Sequence, residues 1–365
     1  MNRQRRYVAA VSGVAVALLV SWFGVRDYIA RSSLARIDDQ EFWELVVTFS
    51  EPGAAFRSAG AVRTDNLVSN ERSFQRVIPE LEDAGREGAY LGVGPEQNFT
   101  YITTMKPTIA FIVDIRRDNM LLHLMYKALV EMSADRAEFL SLLFARARPP
   151  EVGRRSTVQA LFDAFRPARC SEALANRNLR AVFDRLERAH GFILSQEDER
   201  GIKRAYESFC ANGPDIRWDS SGDSWIPSYA DLMAESDTRG RSYSYLASEE
   251  NFRVLKRYQV ANRIVPLVGD FGGERTVRAV GGYLKQHGTK VAAFYTSNVE
   301  AYLRENAPNK FMENVSSLPI DEHSLFIRTR FKIASFVQDR PQYQSATTAE
   351  RMLPWVNMWK HRQTQ

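Results

Sequence analysis

The chain has 365 residues, 44% hydrophobic and 25% charged, enough for one large core or two modest ones and unlike a low-complexity or disordered protein. Net charge is only +5, with arginine spread along the length, so no basic stripe with interleaved aromatics argues for nucleic acid. His123, His190, His287, His323 and His361 are scattered, and no HxxxH, HExxH or CxxC spacing points to a metal.

In chain order, Arg3, Arg5 and Arg6 precede Tyr7–Val25, a run of 19 residues without a charge. As a helix it would span roughly 28 Å, close to the hydrocarbon thickness of a bilayer. A small-x-small site, Ser33-Leu34-Ala35, lies about ten residues beyond the run, too far for comfortable signal-peptide processing. The expectation is an uncleaved single-pass anchor in the inner (cytoplasmic) membrane, which makes the membrane a partner through residues 7–25. The denser arginine cluster before the run places the N-terminus inside and the large domain in the periplasm.

Asp38 or Asp39 reads as the N-cap of a helix with Phe42, Trp43, Leu45 and Val46 on its apolar face. Pro52-Gly53 ends that helix, a polar stretch runs to about residue 72, and a helix follows near 73–82. Ala89–Asn119 then reads as strand, glycine turn, helix and a second strand ending in an acid, the opening unit of a nucleotide-binding α/β fold. From Asn119 to about Asn262 the periodicity is helical, with segments near 119–146, 172–190, 196–211 and 248–262. Strand character returns at Ile264–Gly269, Lys290–Tyr295 and Leu325–Arg330. A helix carrying Val277, Val280 and Leu284 separates the first two, and Gly288 closes it.

Strands alternating with helices predict an α/β fold with a Rossmann-like, mainly parallel sheet covered on both faces. The expected organisation is an anchor at 1–36, an α/β domain at 37–340 with a helical insertion or cap at about 119–262, and a C-terminal tail at 341–365. Cys170 and Cys210 are either a disulfide, in an oxidising compartment, or two buried thiols.

A small-molecule ligand is expected at the strand ends. Gly92 and Gly94 permit a tight turn, and Glu96, Gln97 and Asn98 stand where a helix N-terminus offers free N–H groups. Asp114, twenty residues after Gly94, is at the usual reach for an acid on ribose hydroxyls. It could equally pair with Arg116 or Arg117. Pro95 removes an N–H and Glu96 adds negative charge, which disfavours a dinucleotide and suits a cofactor without phosphate. At other strand ends stand Asp270, Tyr295, Ser297, Asn298 and Glu300; Tyr243, Tyr245 and Glu249 could enter from the cap. Asp270 either aims a carboxylate at a substrate or caps the next helix. No GxSxG is present and no Ser-His-Asp triad is supported.

The segments GVGPEQNFTYI, FIVDIRRDN, SYLASEENFRV, VPLVGDFGG and FYTSNVEAYL together resemble an uncharacterised family of bacterial proteins. Its fold is similar to that of class I S-adenosylmethionine-dependent methyltransferases. That resemblance implies S-adenosylmethionine as cofactor, with Gly92, Gly94 and Glu96 at its methionine end and Asp114 at the ribose. Asn98 and Arg116 complete the implied cofactor-binding set. The chain departs from the methyltransferase pattern by lacking a third loop glycine, by Pro95, and because Asp270 opens no Asp/Asn-Pro-Pro-aromatic motif.

The resulting expectation is a membrane-anchored protein with a methyltransferase-like fold that transfers methyl groups. The alternative is a non-catalytic binder of a small ligand or a partner in the bacterial envelope. It gains from topology, because S-adenosylmethionine is made in the cytosol. A third expectation is another enzyme class, with Asp270 and Glu249 as acid–base groups.

Overall fold

A computed structural model describes residues 36–54, 66–82, 88–218, 226–306, 308–337 and 340–364. Ile37–Gln365 form one unit, separate from Met1–Arg36. The apolar run 7–25 lies outside the described residues. Among those described, no helix is long and apolar enough to cross a membrane.

One six-stranded sheet organises the domain, in the order β3-β2-β1-β4-β5-β6. Strands β1 (Ala89–Gly92), β2 (Ile109–Asp114), β3 (Ile264–Val268), β4 (Val291–Ser297) and β5 (Leu325–Val337) run parallel, and β6 (Arg340–Arg351) is antiparallel to β5. Every residue of β1, β2 and β3 is buried, as their unbroken apolar runs require of strands covered on both faces. The strand order reverses between β1 and β4, and in open α/β sheets ligands bind at the carboxyl ends beside that reversal.

The helices that build the first half follow the sequence closely. Helix α1 (Asp39–Phe49) is capped by Asp38, whose carboxylate accepts from Glu41 N at 2.7 Å. The stretch near 73–82 is a 3-10 turn (Phe74–Val77) running into α2 (Ile78–Glu82). Helix α3 (Gln97–Met105) follows the glycine turn, and α4 (Arg117–Met132) follows β2. The long helix expected at 119–146 is divided at Ser133, which is extended (φ −83°, ψ 131°) and whose N–H and hydroxyl donate to the carbonyls of Val130 and Leu129 at the end of α4. Asp135 then caps α5 (Arg136–Phe144), accepting from Glu138 N.

The insertion continues through α6 (Val158–Phe165), α7 (Glu172–Phe183), a π-turn (Asp184–Ala189), α8 (Gln196–Asn212) and α9 (Tyr229–Ala234). It returns to the sheet along α10 (Glu249–Val260), capped by Ser248. A disulfide between Cys170 and Cys210 ties the start of α7 to the end of α8, with Cα atoms 5.3 Å apart. Phe144, Phe162, Phe209 and Tyr229 pack edge to face as the insertion's own core. Phe209 also meets Tyr126 of α4, at 5.9 Å between ring centres.

Helix α11 (Thr276–Gln286) buries Val277, Val280 and Leu284, and Gly288 follows it at φ +60°. After β4 come α12 (Val299–Asn306) and α13 (Pro308–Ser317). The segment 341–365, expected as a tail outside the domain, is instead the last strand of the sheet and a closing helix, α14 (Met352–Gln363). The strand is poor in large apolar side chains because β6 is an antiparallel edge, half facing solvent.

Candidate functional site

The turn after β1 is filled from within. A Cβ on Gly92 would lie 1.9 Å from Asn98 Oδ1, so glycine is required there by the Asn98 side chain itself. Asn98 Nδ2 donates to the carbonyls of Val93 (2.9 Å), Gly94 (3.2 Å) and Pro95 (2.8 Å), and its Oδ1 accepts from Tyr90. Gly94 has φ +77° with open space on its Cβ side. Its carbonyl also meets His123 Nε2 at 2.9 Å.

Asp114, at the end of β2, is clasped by Arg116. The guanidinium reaches Oδ1 through Nε (3.1 Å) and Oδ2 through Nη2 (2.9 Å), and Arg116 N adds a bond to Oδ1. Both side chains are largely buried. The ion-pairing alternative raised by the sequence is therefore the geometry found. Arg117 turns elsewhere, to Asp198.

At the end of β3, Asp270 does not cap α11. Its Oδ1 accepts from Gly272 N at 2.8 Å, closing a two-residue turn. The start of α11 is served by Glu51, whose carboxylate accepts from the backbone N–H of Asp270, Arg275 and Thr276. An anion site of the kind that holds phosphate at a helix N-terminus is thus occupied by the chain's own carboxylate. Glu249 is likewise committed, to Arg136 at 3.0 Å. Each of the two carboxylates proposed as acid–base groups is thus already engaged by the protein, Asp270 by a backbone N–H and Glu249 by a buried guanidinium.

A continuous polar network lies at the carboxyl ends of β1, β4 and β5, and one member comes from the polar stretch before residue 72. Glu71 is 2% exposed and receives Ser297 Oγ, Thr329 Oγ1 and Gln97 Nε2. Burial raises its carboxyl above the usual range, opposed by those hydrogen bonds. Tyr295 and Tyr101 pack beside it at 5.2 Å between ring centres. Ser69 carries the network onward: its Oγ bonds Gln97, and its N–H bonds Glu96 Oε1. Ser297 itself has φ +52°, an uncommon conformation for serine, at a bulge in the β4–β5 pairing. Asn298 Oδ1 lies 3.3 Å from Ser297 Oγ.

Beyond Glu96 the network ends in buried polar atoms without a hydrogen-bond partner among the described residues. These are Glu96 Oε2, Thr100 Oγ1, both amide atoms of Asn119, His123 Nδ1 and Tyr126 Oη. Asn119, His123 and Tyr126 stand at i, i+4 and i+7 on α4, one stripe facing α3. Phe99 meets the rings of His123, Tyr126 and Tyr245 edge-on at 5.3–5.4 Å. Tyr245, from the insertion, is fully buried against Phe99 and Phe139, with its hydroxyl bonded to Tyr229. Burial pushes Glu96 up to about 8 and pulls His123 down to about 4, so both are uncharged at neutral pH. The stripe was legible in principle as polar residues at helical spacing, but a solvated face gives the same pattern.

These shifts set a pH dependence. The fold favours protonated Glu96, so its contribution is complete below about pH 4.5 and is lost as pH rises toward 8. Glu235, raised to about 7 by burial, acts in the same direction. His123 acts oppositely: its neutral form is favoured above pH 6.5, and stability falls as pH drops through 4. The urea midpoint should therefore decline from pH 5 to 8, and Glu96→Gln should flatten the decline, leaving the shares of Glu235 and Glu71. Parallel midpoint curves for the two proteins would refute this assignment.

Away from these groups, an apolar groove of about 320 Å³ runs between α12, α13 and α14, lined chiefly by Leu303, Met312, Trp355, Met358 and Trp359. Glu300 borders it, the one strand-end residue picked from sequence that does.

No curated protein matches the chain in sequence. Residues 66–364, which include the switch point, the polar network, the cap and the closing strand, match the family model described as Domain of unknown function (DUF7790), and the chain belongs to that family.

Proposed function

We infer that this α/β domain binds a small organic molecule without phosphate groups at the carboxyl edge of β1 and β4. The observation that carries the reading is the set of buried polar atoms on Glu96, Asn119, His123 and Tyr126 that lack partners among the described residues. Buried polar groups are nearly always satisfied, so a cluster of unsatisfied ones beside the switch point calls for a polar guest. Glu51 at the N-terminus of α11 argues against phosphate. The neutral Glu96 and His123 favour an uncharged polar ligand over an anion.

A thermal-shift screen of the protein with uncharged polar metabolites and with nucleotides tests the reading. Stabilisation by an uncharged compound, lost in Asn119→Leu, is the expected result. A screen without any stabiliser, together with a crystal structure in which only water meets Asn119 and His123, would overturn it.

Methyl transfer from S-adenosylmethionine is the second reading, favoured by the glycine turn and the acid at the end of β2. The arginine clasp on Asp114 weighs against it. Calorimetric titration with S-adenosylmethionine should show no micromolar binding, and Asp114→Asn should instead lower stability by about 1–3 kcal/mol. Micromolar binding lost in that variant would reverse the ranking.

The proposed setting is the outer side of an inner membrane, with residues 7–25 as anchor. The Cys170–Cys210 disulfide supports an oxidising compartment, and cytosolic cofactors would not reach the domain there. A C-terminal reporter active only in the cytosol should be silent.

A further inference from the structure

We propose that Ser297 is a nucleophile, with Glu71 as its general base, for hydrolysis of an uncharged carboxylic ester. The inference goes beyond ligand binding but rests on the same edge of the sheet receiving the substrate.

Three features coincide at Ser297. It is the last residue of β4, and after Asn298 the chain enters α12, so the strand ends in serine one residue before the helix. Its φ of +52° is uncommon for a side chain-bearing residue, and held strain of this kind concentrates at functional sites. A sharp strand–serine–helix turn is also the device by which α/β-hydrolases expose their nucleophile, although no GxSxG surrounds this one. Ser297 is half-buried, whereas the carboxylate it bonds is almost fully enclosed.

Nucleophile, base and orienting groups are in the required relation. Ser297 Oγ donates to Glu71 Oε1, while Thr329 Oγ1 and Gln97 Nε2 hold Oε2. Glu71 thereby takes the place that histidine usually fills. Burial makes its carboxylate a stronger base than a surface glutamate. Of the first N–H groups of α12, that of Ala301 donates to Asn298 O at 3.0 Å, which leaves those of Val299 and Glu300, the residues just after the serine, as the proposed oxyanion donors.

In the reaction Ser297 Oγ attacks the carbonyl carbon as its proton passes to Glu71. The bond to the alcohol oxygen breaks, and Glu71 returns the proton to the departing alkoxide. Water then attacks the acyl-serine, giving one proton to Glu71, which passes it to Ser297 as the acid is released. The sum is ester plus water giving acid plus alcohol. The Glu71 carboxyl beside the serine disfavours anionic substrates, and Arg328, the nearby cation, is already held by Glu300 and Glu350.

The test is labelling of the full-length protein by an alkyl fluorophosphonate, read by intact mass and peptide mapping. One adduct on Ser297 is expected, absent in Ser297→Ala and formed at least tenfold more slowly in Glu71→Gln. Because Glu71→Gln could disturb folding, the wild-type labelling rate is also followed with pH; it should rise as Glu71 ionises. An unlabelled, folded wild-type protein would overturn the proposal, as would a label elsewhere than Ser297 or a flat pH profile. Loss of labelling in Ser297→Ala with the Asn119-dependent thermal shift retained separates this assignment from ligand binding itself.

Discussion

Replacing Arg136 by leucine should cost about 3–5 kcal/mol of stability, measured by urea denaturation. The side chain is 1% exposed and its guanidinium is fully engaged. Nε pairs with Glu249 at 3.0 Å, Nη1 reaches Leu246 O at 2.7 Å, and Nη2 reaches Arg154 O and Ser156 O at 3.0 and 2.9 Å. One residue at the start of α5 thus fastens the loop before α6 and the cap of α10. Leucine would fill much of the volume but leave three carbonyls unpaired and the Glu249 carboxylate without its cation, holding only the backbone N–H of residue 136. Most of the penalty comes from those groups, since the intact pair itself has a desolvation cost close to its attraction. Arg136→Lys should recover only part, because an ammonium cannot fork in the same directions. A loss under about 1 kcal/mol in the leucine variant would mean that water or rearrangement satisfies the abandoned acceptors.

Removal of the disulfide should have an effect of similar size. Cys170 and Cys210 close a loop of 40 residues, for which restriction of the unfolded chain contributes about 4 kcal/mol. The double variant Cys170→Ser/Cys210→Ser should unfold at a markedly lower urea concentration than the oxidised protein. Wild-type protein in reductant should match the variant. Identical midpoints with and without reductant would show that the bond adds nothing to folding. Because the bridge lies within the insertion, the loss should first appear as increased hydrogen exchange in α7 and α8.

The parts of this molecule legible in sequence are those governed by local chemistry. Ala89–Asp114 reads correctly because two apolar runs flank a glycine turn and helix, and nothing distant is needed to place them. Asp38 and Ser248 are recognisable caps for the same reason. Glu71 and Ser69 escaped, because a polar stretch signals a solvent-exposed loop until tertiary structure buries it against β4 and β5. Glu51 escaped similarly: its three backbone donors lie more than two hundred residues downstream. The strand β6 carries Thr347, Thr348, Ala346 and Ala349 rather than valine or isoleucine, so pairing with β5 is its only strand signal. Asp114 shows the limit of a spacing argument, which locates an acid at a strand end but not the arginine two residues later that takes both its oxygens.

The strand order also imposes a timetable on synthesis. β2 ends at Asp114 and its neighbour β3 begins at Ile264, about 150 positions further along the chain. At about 5–20 residues per second, roughly 8–30 s pass between the appearance of the two strands. Through that interval the nascent chain carries β1 and β2 with neither outer neighbour, and an unguarded pair of strands invites association with other chains. The insertion is the part able to consolidate meanwhile, since its aromatic cluster and its 40-residue bridge are complete before β3 emerges. Helices packed on the unfinished sheet would then shield it during elongation, and a chain arrested between Tyr229 and Ile264 should hold a folded cap, whereas one arrested before Tyr229 should lack its aromatic core and aggregate more readily.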